Sequence, residues 1–143
     1  MATMILANAT VTGANGYAQK ISAAGHEFSS DEPQRRGGTN TGPAPFELML
    51  ASLGACTAIT LRMYADRKEW TLGEITIALR LIKEGEAQPR IERKITVSEA
   101  VDAEKQAKLL EIADKTPVTK ALAAGVEIHT TFEGVGTSTQ PAR

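Results

Sequence analysis

At 143 residues with 42% hydrophobic side chains, the chain is sized for one domain with a real core. Sixteen basic residues against 17 acidic ones nearly cancel, so nothing in the composition favours nucleic acid or an anionic membrane as a partner. A single cysteine, Cys56, cannot close an internal disulfide; this excludes a secreted disulfide scaffold but not an intermolecular bond.

The opening MATMILANAT lacks the charged and long apolar regions of a signal peptide, and the expected location is cytoplasmic. Residues 4–30 read as short strands with turns at Gly13-Ala14-Asn15-Gly16 and at Gly25. Residues 31–44, DEPQRRGGTNTGPA, have the Gly, Pro, Asn and Asp density of a loop, and loops so placed often line sites.

Residues 46–61 carry one charge, Glu47, and are apolar or small on every side of a helical wheel, the pattern of a helix buried all round. Pro43 and Pro45 mark its entrance, while Arg62, Asp66, Arg67 and Lys68 return it to water, with Arg62 and Asp66 spaced as an i, i+4 pair. Sixteen positions fall short of the roughly 20 that a bilayer requires, so the segment reads as a core helix and not as a membrane span. It needs cover on all sides, more than one chain's short strands provide. Pattern alone therefore predicts a homodimer formed through this helix.

Beyond it, Ile75, Ile77, Leu79 and Leu81 alternate with polar or small residues, as do Ile91, Ile95 and Val97 with Glu92, Lys94 and Thr96. The pair predicts a hairpin across a connection holding Gly85 and Pro89. A helical period runs from Asp102 through Leu109, Leu110, Ile112 and Ala113 and ends near Pro117, with a short helical turn through Leu122 after it. Val126, Ile128 and Phe132 predict a last strand, and the Gly, Ser, Thr and Pro content of 134–143 a disordered tail. Together these give an α+β class, one domain over 1–133, with antiparallel sheets packed on helices.

The runs DEPQRRGG, GPAPFELMLASLGACTAITLRMYADRKEW and EIADKTPVTKAL resemble the OsmC/Ohr family of hydroperoxide-resistance proteins, nearest its OsmC-like branch. The resemblance implies an intertwined homodimer with sheets wrapped around central helices, and cysteine-based reduction of organic hydroperoxides at the subunit interface. By position, Cys56 matches the peroxidatic cysteine and Glu47 the motif carboxylate. The family also holds the thiolate with an arginine, for which Arg35 or Arg36 is the candidate. The second family helix opens with a cysteine before its proline, whereas this chain has Thr116-Pro117-Val118-Thr119. No resolving thiol is present. A two-cysteine peroxidase closes its cycle with a disulfide, so a single-cysteine form requires an external thiol reductant.

Each residue also has a plainer role. A cysteine on a buried helix is by default a small hydrophobe, and only a thiolate, favoured by a nearby guanidinium, is reactive. Glu47 suits the first helical turn through the helix dipole, and Thr116 followed by Pro117 is a good N-cap pair. Nine residues separate Glu47 from Cys56, about 180° and roughly 13 Å on a straight helix. Either the helix breaks near Gly54 or the carboxylate at Cys56 comes from another subunit. His26 and His129 fit neither a metal site nor a Cys-His dyad, and no metal or cofactor is expected. Tyr64 and Trp70 suit packing or the rim of an apolar pocket. The functions left are a thiol-dependent peroxidase, a non-catalytic dimer holding a small hydrophobic ligand at its interface, and another thiol-dependent enzyme such as an acyl-transfer catalyst.

Overall fold

The turn chemistry of the N-terminal segment folds it into a three-stranded antiparallel sheet, β1 (Thr10–Thr12), β2 (Gln19–Ala23) and β3 (His26–Ser30), in the computed structural model, which describes residues 2–135. Ala24 and Gly25 both take positive φ (51° and 80°), the combination whose twist matches a two-residue hairpin, and pair Ala23 with His26 and Ile21 with Phe28. Ile21 is buried, but Val11 and Phe28 are 58% and 46% exposed, so this sheet is covered on neither face along most of its length.

The loop that follows is organised by one carboxylate. Asp31 Oδ1 accepts from the Glu32 N–H (2.7 Å), and Oδ2 accepts from the backbone N–H and the hydroxyl of both Thr39 (3.1 and 2.6 Å) and Thr41 (3.2 and 2.9 Å). These bonds, the Thr39 hydroxyl foremost, outweigh desolvation and hold the Asp31 carboxyl well below the usual carboxylate range. Glycine is required at two points of the same loop, since a Cβ on Gly38 would lie 2.0 Å from the Glu32 carbonyl and one on Gly42 2.2 Å from that of Ser29. The loop includes a 3-10 turn, Gln34–Arg36, and delivers the chain to α1 (Pro45–Lys68).

Pro45 sits in the first turn of α1, and the Glu47 carboxylate reaches back to the Ala44 N–H (2.8 Å). The helix passes Gly54 without a break and ends where Glu69 turns left-handed (φ 57°) and the Trp70 N–H bonds the Ala65 carbonyl (2.9 Å). It runs seven residues beyond the predicted end at 61, because Ala65 continues the buried stripe of Leu53, Gly54, Thr57 and Leu61 for another turn. At 24 residues it is long and apolar enough, by length and composition only, to cross a membrane, so the argument from sixteen positions does not hold. What marks it as a core helix is the packing of that stripe on the sheet behind it.

Burial all round is also corrected. Ala51, Ala55, Ile59 and Met63, spaced four apart, form an exposed stripe, with Ile59 and Met63 at 56% and 62%. Arg62 does not pair with Asp66; its guanidinium donates to the Gly73 carbonyl.

β4 (Ile75–Ile82) and β5 (Arg90–Val97) form the predicted hairpin, with Ile77 opposite Ile95 and Leu81 opposite Ile91. α1 lies across β4, and a Cβ on Gly54 would stand 2.9 Å from Leu79 Cδ1, which is why the closest approach falls at a glycine. α2 (Ala103–Ala113) starts at Asp102, whose carboxylate accepts the Lys105 N–H (2.8 Å). α3 (Pro117–Ala124) starts at the expected Thr116 cap. Leu61, Ala65, Leu72 and Leu109 make the buried centre, with Ile75, Ile77, Ile95, Val97 and Ile112 around it.

The predicted last strand is absent: residues 126–132 belong to no strand, and Val126, Ile128 and Phe132 are 68%, 85% and 93% exposed. Alternation supplied the strand signal, but no free sheet edge of this chain meets it. Most of the predicted tail, 136–143, lies outside the described residues.

The Asp31 clamp predicts a pH dependence. Its folded-state pKa is depressed, so its contribution is complete above the unfolded value near 4 and is lost as pH falls from there toward the folded value. Thermal melts of the wild type should drop in midpoint below pH 4, and Asp31→Asn should melt lower at pH 7 with a flatter acid profile. Whichever way the amide turns, its NH2 meets a backbone N–H.

Candidate functional site

Cys56 sits at the middle of α1, half-buried, on the border between the buried stripe and the exposed one. It lies two turns from Met49 and one from Leu53, hence on their side of the helix. Glu47 is fixed in the first turn by its bond to the Ala44 N–H. Arg35 and Arg36, both exposed, border with Pro45, Phe46 and Glu47 a surface pocket of about 420 Å³ at the start of α1. The structure thus groups Arg35, Arg36 and Glu47 with one another but not with Cys56, and the continuous helix keeps Glu47 and Cys56 about 13 Å apart along its axis. Of the two routes to a Glu47–Cys56 contact, a break near Gly54 is excluded.

The residue that sequence reasoning missed is Arg93. On β5 it falls at the inward position between Ile91 and Ile95, where the alternation calls for an apolar side chain. Its side chain is only 14% exposed. One guanidinium nitrogen donates to the hydroxyls of Thr57 and Thr119 (2.9 Å each), the other to the Ala113 carbonyl (3.2 Å) and to Asp114 Oδ1 (3.4 Å). The hydroxyl protons follow from the geometry. Thr57 donates to the Leu53 carbonyl (2.7 Å) and Thr119 to the Ala113 carbonyl (3.1 Å). The 2.6 Å contact between Thr116 and Thr119 is therefore donated by Thr116, which in return accepts the Thr119 N–H (3.3 Å). Thr57 and Thr116 are fully buried, and no buried side-chain polar atom among the described residues lacks a partner. The network joins α1, beside Cys56, to β5, the end of α2 and the start of α3.

Above it lies a cavity of about 690 Å³ between α1, the hairpin and α2–α3, with Met49, Leu53, Ile91, Ile95, Leu110 and Leu122 among its walls. Its polar lining is confined to Arg93, Asp114 and Thr119, and Cys56 does not line it. His26 is exposed on β3, and His129 pairs with Glu127 on the surface (2.7 Å). Among the described residues no group of His, Cys, Asp and Glu side chains has the arrangement to hold a metal ion. Tyr64 and Trp70 meet edge to face, with ring centroids 5.4 Å apart, and Trp70 packs on the core.

A family model described as OsmC-like protein matches residues 38–131, which span α1, the hairpin, α2 and α3. The chain belongs to the OsmC family. Its fold is similar to that of a protein from Psychrobacter arcticus assigned to the osmotic-stress and detoxification response, at a TM-score of 0.70, 19% identity and 85% and 90% coverage of the two chains. It is also similar to the organic hydroperoxide resistance protein OsmC of Legionella pneumophila (TM-score 0.62, 16% identity, 85% and 91% coverage). A third match is an organic hydroperoxide resistance protein from Elizabethkingia anophelis (0.61, 24%, 89% and 94%). No curated protein sequence matches the chain. OsmC family proteins are soluble, in keeping with α1 as a core helix.

In this OsmC family chain Arg93 is a structural bolt. Arg93→Met takes one donor from the Ala113 carbonyl and the Thr119 hydroxyl, leaves the buried Thr57 hydroxyl oxygen with none, and should cost about 1–3 kcal/mol in urea unfolding, whereas Asp114→Ala, which removes only an exposed and long ion pair, should cost under about 1 kcal/mol.

Proposed function

We propose that the protein reduces organic hydroperoxides through Cys56, with an external thiol as reductant. The reading is carried by the placement of the chain's one thiol, half-buried at the centre of α1 and next to the Arg93 network, in a member of the OsmC family. In the proposed step the Cys56 thiolate attacks one peroxide oxygen and the O–O bond breaks. Sulfur gains that oxygen as sulfenic acid, and the other leaves as alkoxide and takes a proton to become the alcohol. An external thiol then condenses with the sulfenic acid, releasing water, and a second thiol frees Cys56 as the external disulfide forms. Thr116, in the place where the family carries its second cysteine, has no thiol to intervene.

The reading includes a homodimer. The exposed Ile59–Met63 stripe, the uncovered N-terminal sheet and the unpaired residues 126–132 are three apolar or hydrogen-bonding surfaces that a second copy would cover. In such a dimer the Arg35–Arg36–Glu47 pocket of the partner subunit is what supplies a guanidinium and a carboxylate to Cys56.

Two measurements test this. Cys56→Ser should keep the far-UV spectrum and lose all turnover of cumene hydroperoxide; retained turnover would place the activity elsewhere. One equivalent of hydroperoxide should add one oxygen to Cys56 and excess a second, while Thr116→Cys should instead lose two hydrogens as a disulfide closes. Separately, sedimentation should find a dimer at micromolar concentration, and a folded monomer there would refute the assembly.

A further inference from the structure

The cavity above Arg93 is built asymmetrically. Met49, Leu53, Ile91, Ile95, Leu110 and Leu122 give it an apolar body, while its polar groups gather at one end. There the fixed charge is a guanidinium only 14% exposed, on the inward face of a strand between two isoleucines. Three of its four hydrogen bonds go to neutral oxygens. The fourth, to Asp114 Oδ1, is the longest at 3.4 Å, and Asp114 is 81% exposed, so the one counter-charge among the described residues is held loosely and from outside. Nε has no partner among the described residues, which leaves a fifth donor unused. A cation pulled this far from water and this weakly neutralised favours an anion that it can bond directly. The volume is that of a site for one small organic molecule.

We infer that this cavity binds a small amphipathic carboxylate, its aliphatic or aryl body among the α1, β5 and α2–α3 side chains and its headgroup on Arg93 in place of Asp114. Asp114 then acts as a gate, a surface carboxylate that occupies the guanidinium until a ligand carboxylate displaces it. The site is independent of the thiol chemistry, because Cys56 does not line it.

The test is calorimetric titration of the full-length protein with octanoate and with 1-octanol. Octanoate should bind on the order of tenfold tighter than the alcohol, the worth of one charge-assisted bond. Asp114→Asn should tighten octanoate several-fold and leave octanol unchanged. Leu110→Trp, which fills the cavity from a tolerant position 60% exposed, should abolish binding of both. Cys56→Ser should change nothing, so loss of the peroxidase reading would leave this one standing. Equal affinity for acid and alcohol, an Asp114→Asn variant that binds octanoate no better, or undetectable binding of both ligands, as when a second copy's segment fills the cavity, would each overturn the proposal.

Discussion

The arrangement of helices on the hairpin depends on a guanidinium placed where an aliphatic side chain would be expected. α1, α2 and α3 meet β4 and β5 largely through aliphatic contacts, and such contacts are non-directional, so they fix proximity better than they fix register. Arg93 adds direction. Its bonds to Thr57, Thr119 and Ala113 specify which turn of α1 faces which turn of the α2–α3 junction. Each acceptor is itself oriented by a second bond, from Thr57 to Leu53 and from Thr119 to Ala113, so the cation meets a preformed ring of oxygens. A methionine of similar length would fill the space without selecting the register.

This constraint also explains the contrast between the two sides of α1. The inner side is closed by Leu53, Gly54, Thr57, Leu61 and Ala65, with glycine at the nearest approach to β4. The outer side repeats small and apolar residues at Ala51, Ala55, Ile59 and Met63, all of them exposed. Cys56 lies on the seam. It is half-buried there, with the stripe from Leu53 to Ala65 packed on one side of it and the exposed stripe on the other.

Much of this was legible in the sequence because local chemistry and tertiary structure agree. Thr116-Pro117 starts a helix, Asp102 caps another, and the 75–82 and 90–97 runs pair in the register their alternation implies. Where the reading went astray, context had overruled pattern. Residues 126–132 alternate as a strand does, yet they join neither sheet, although β4 and β5 each keep an outer edge that pairs with no strand among the described residues. The apolar run of 46–61 marks only the part of α1 that looks like core, although Ala65 extends its buried stripe beyond the first arginine. Arg93 was visible as a charge at an inward position, and charges on strands are usually read as solvent-facing. Asp31 gave no signal, because a carboxylate that collects five donors from residues 32–41 looks in sequence like any loop aspartate.

The loop that Asp31 organises bears on how a thiol site can be assembled at all. Arg35 and Arg36 stand on a short turn inside that loop, and the loop is anchored to the start of α1 through Ser30 and Asp31, which both donate to the Pro43 carbonyl (2.8 and 3.3 Å). Glu47 is locked into the first turn of the same helix. These groups form a rigid unit with the N-terminal end of α1. Cys56 belongs to the same rod, about 13 Å further along and on the opposite side. Loop motion cannot close that gap while the Asp31 clamp holds, and bending cannot close it in a helix that crosses Gly54 intact. Any influence of the Arg35–Arg36–Glu47 cluster on the thiol is therefore either long-range and screened by solvent or exerted on the thiol of another chain. Within its own chain, Arg93 is a fixed cation tied to the middle of α1, through the hydroxyl of Thr57, the residue that follows Cys56 in sequence.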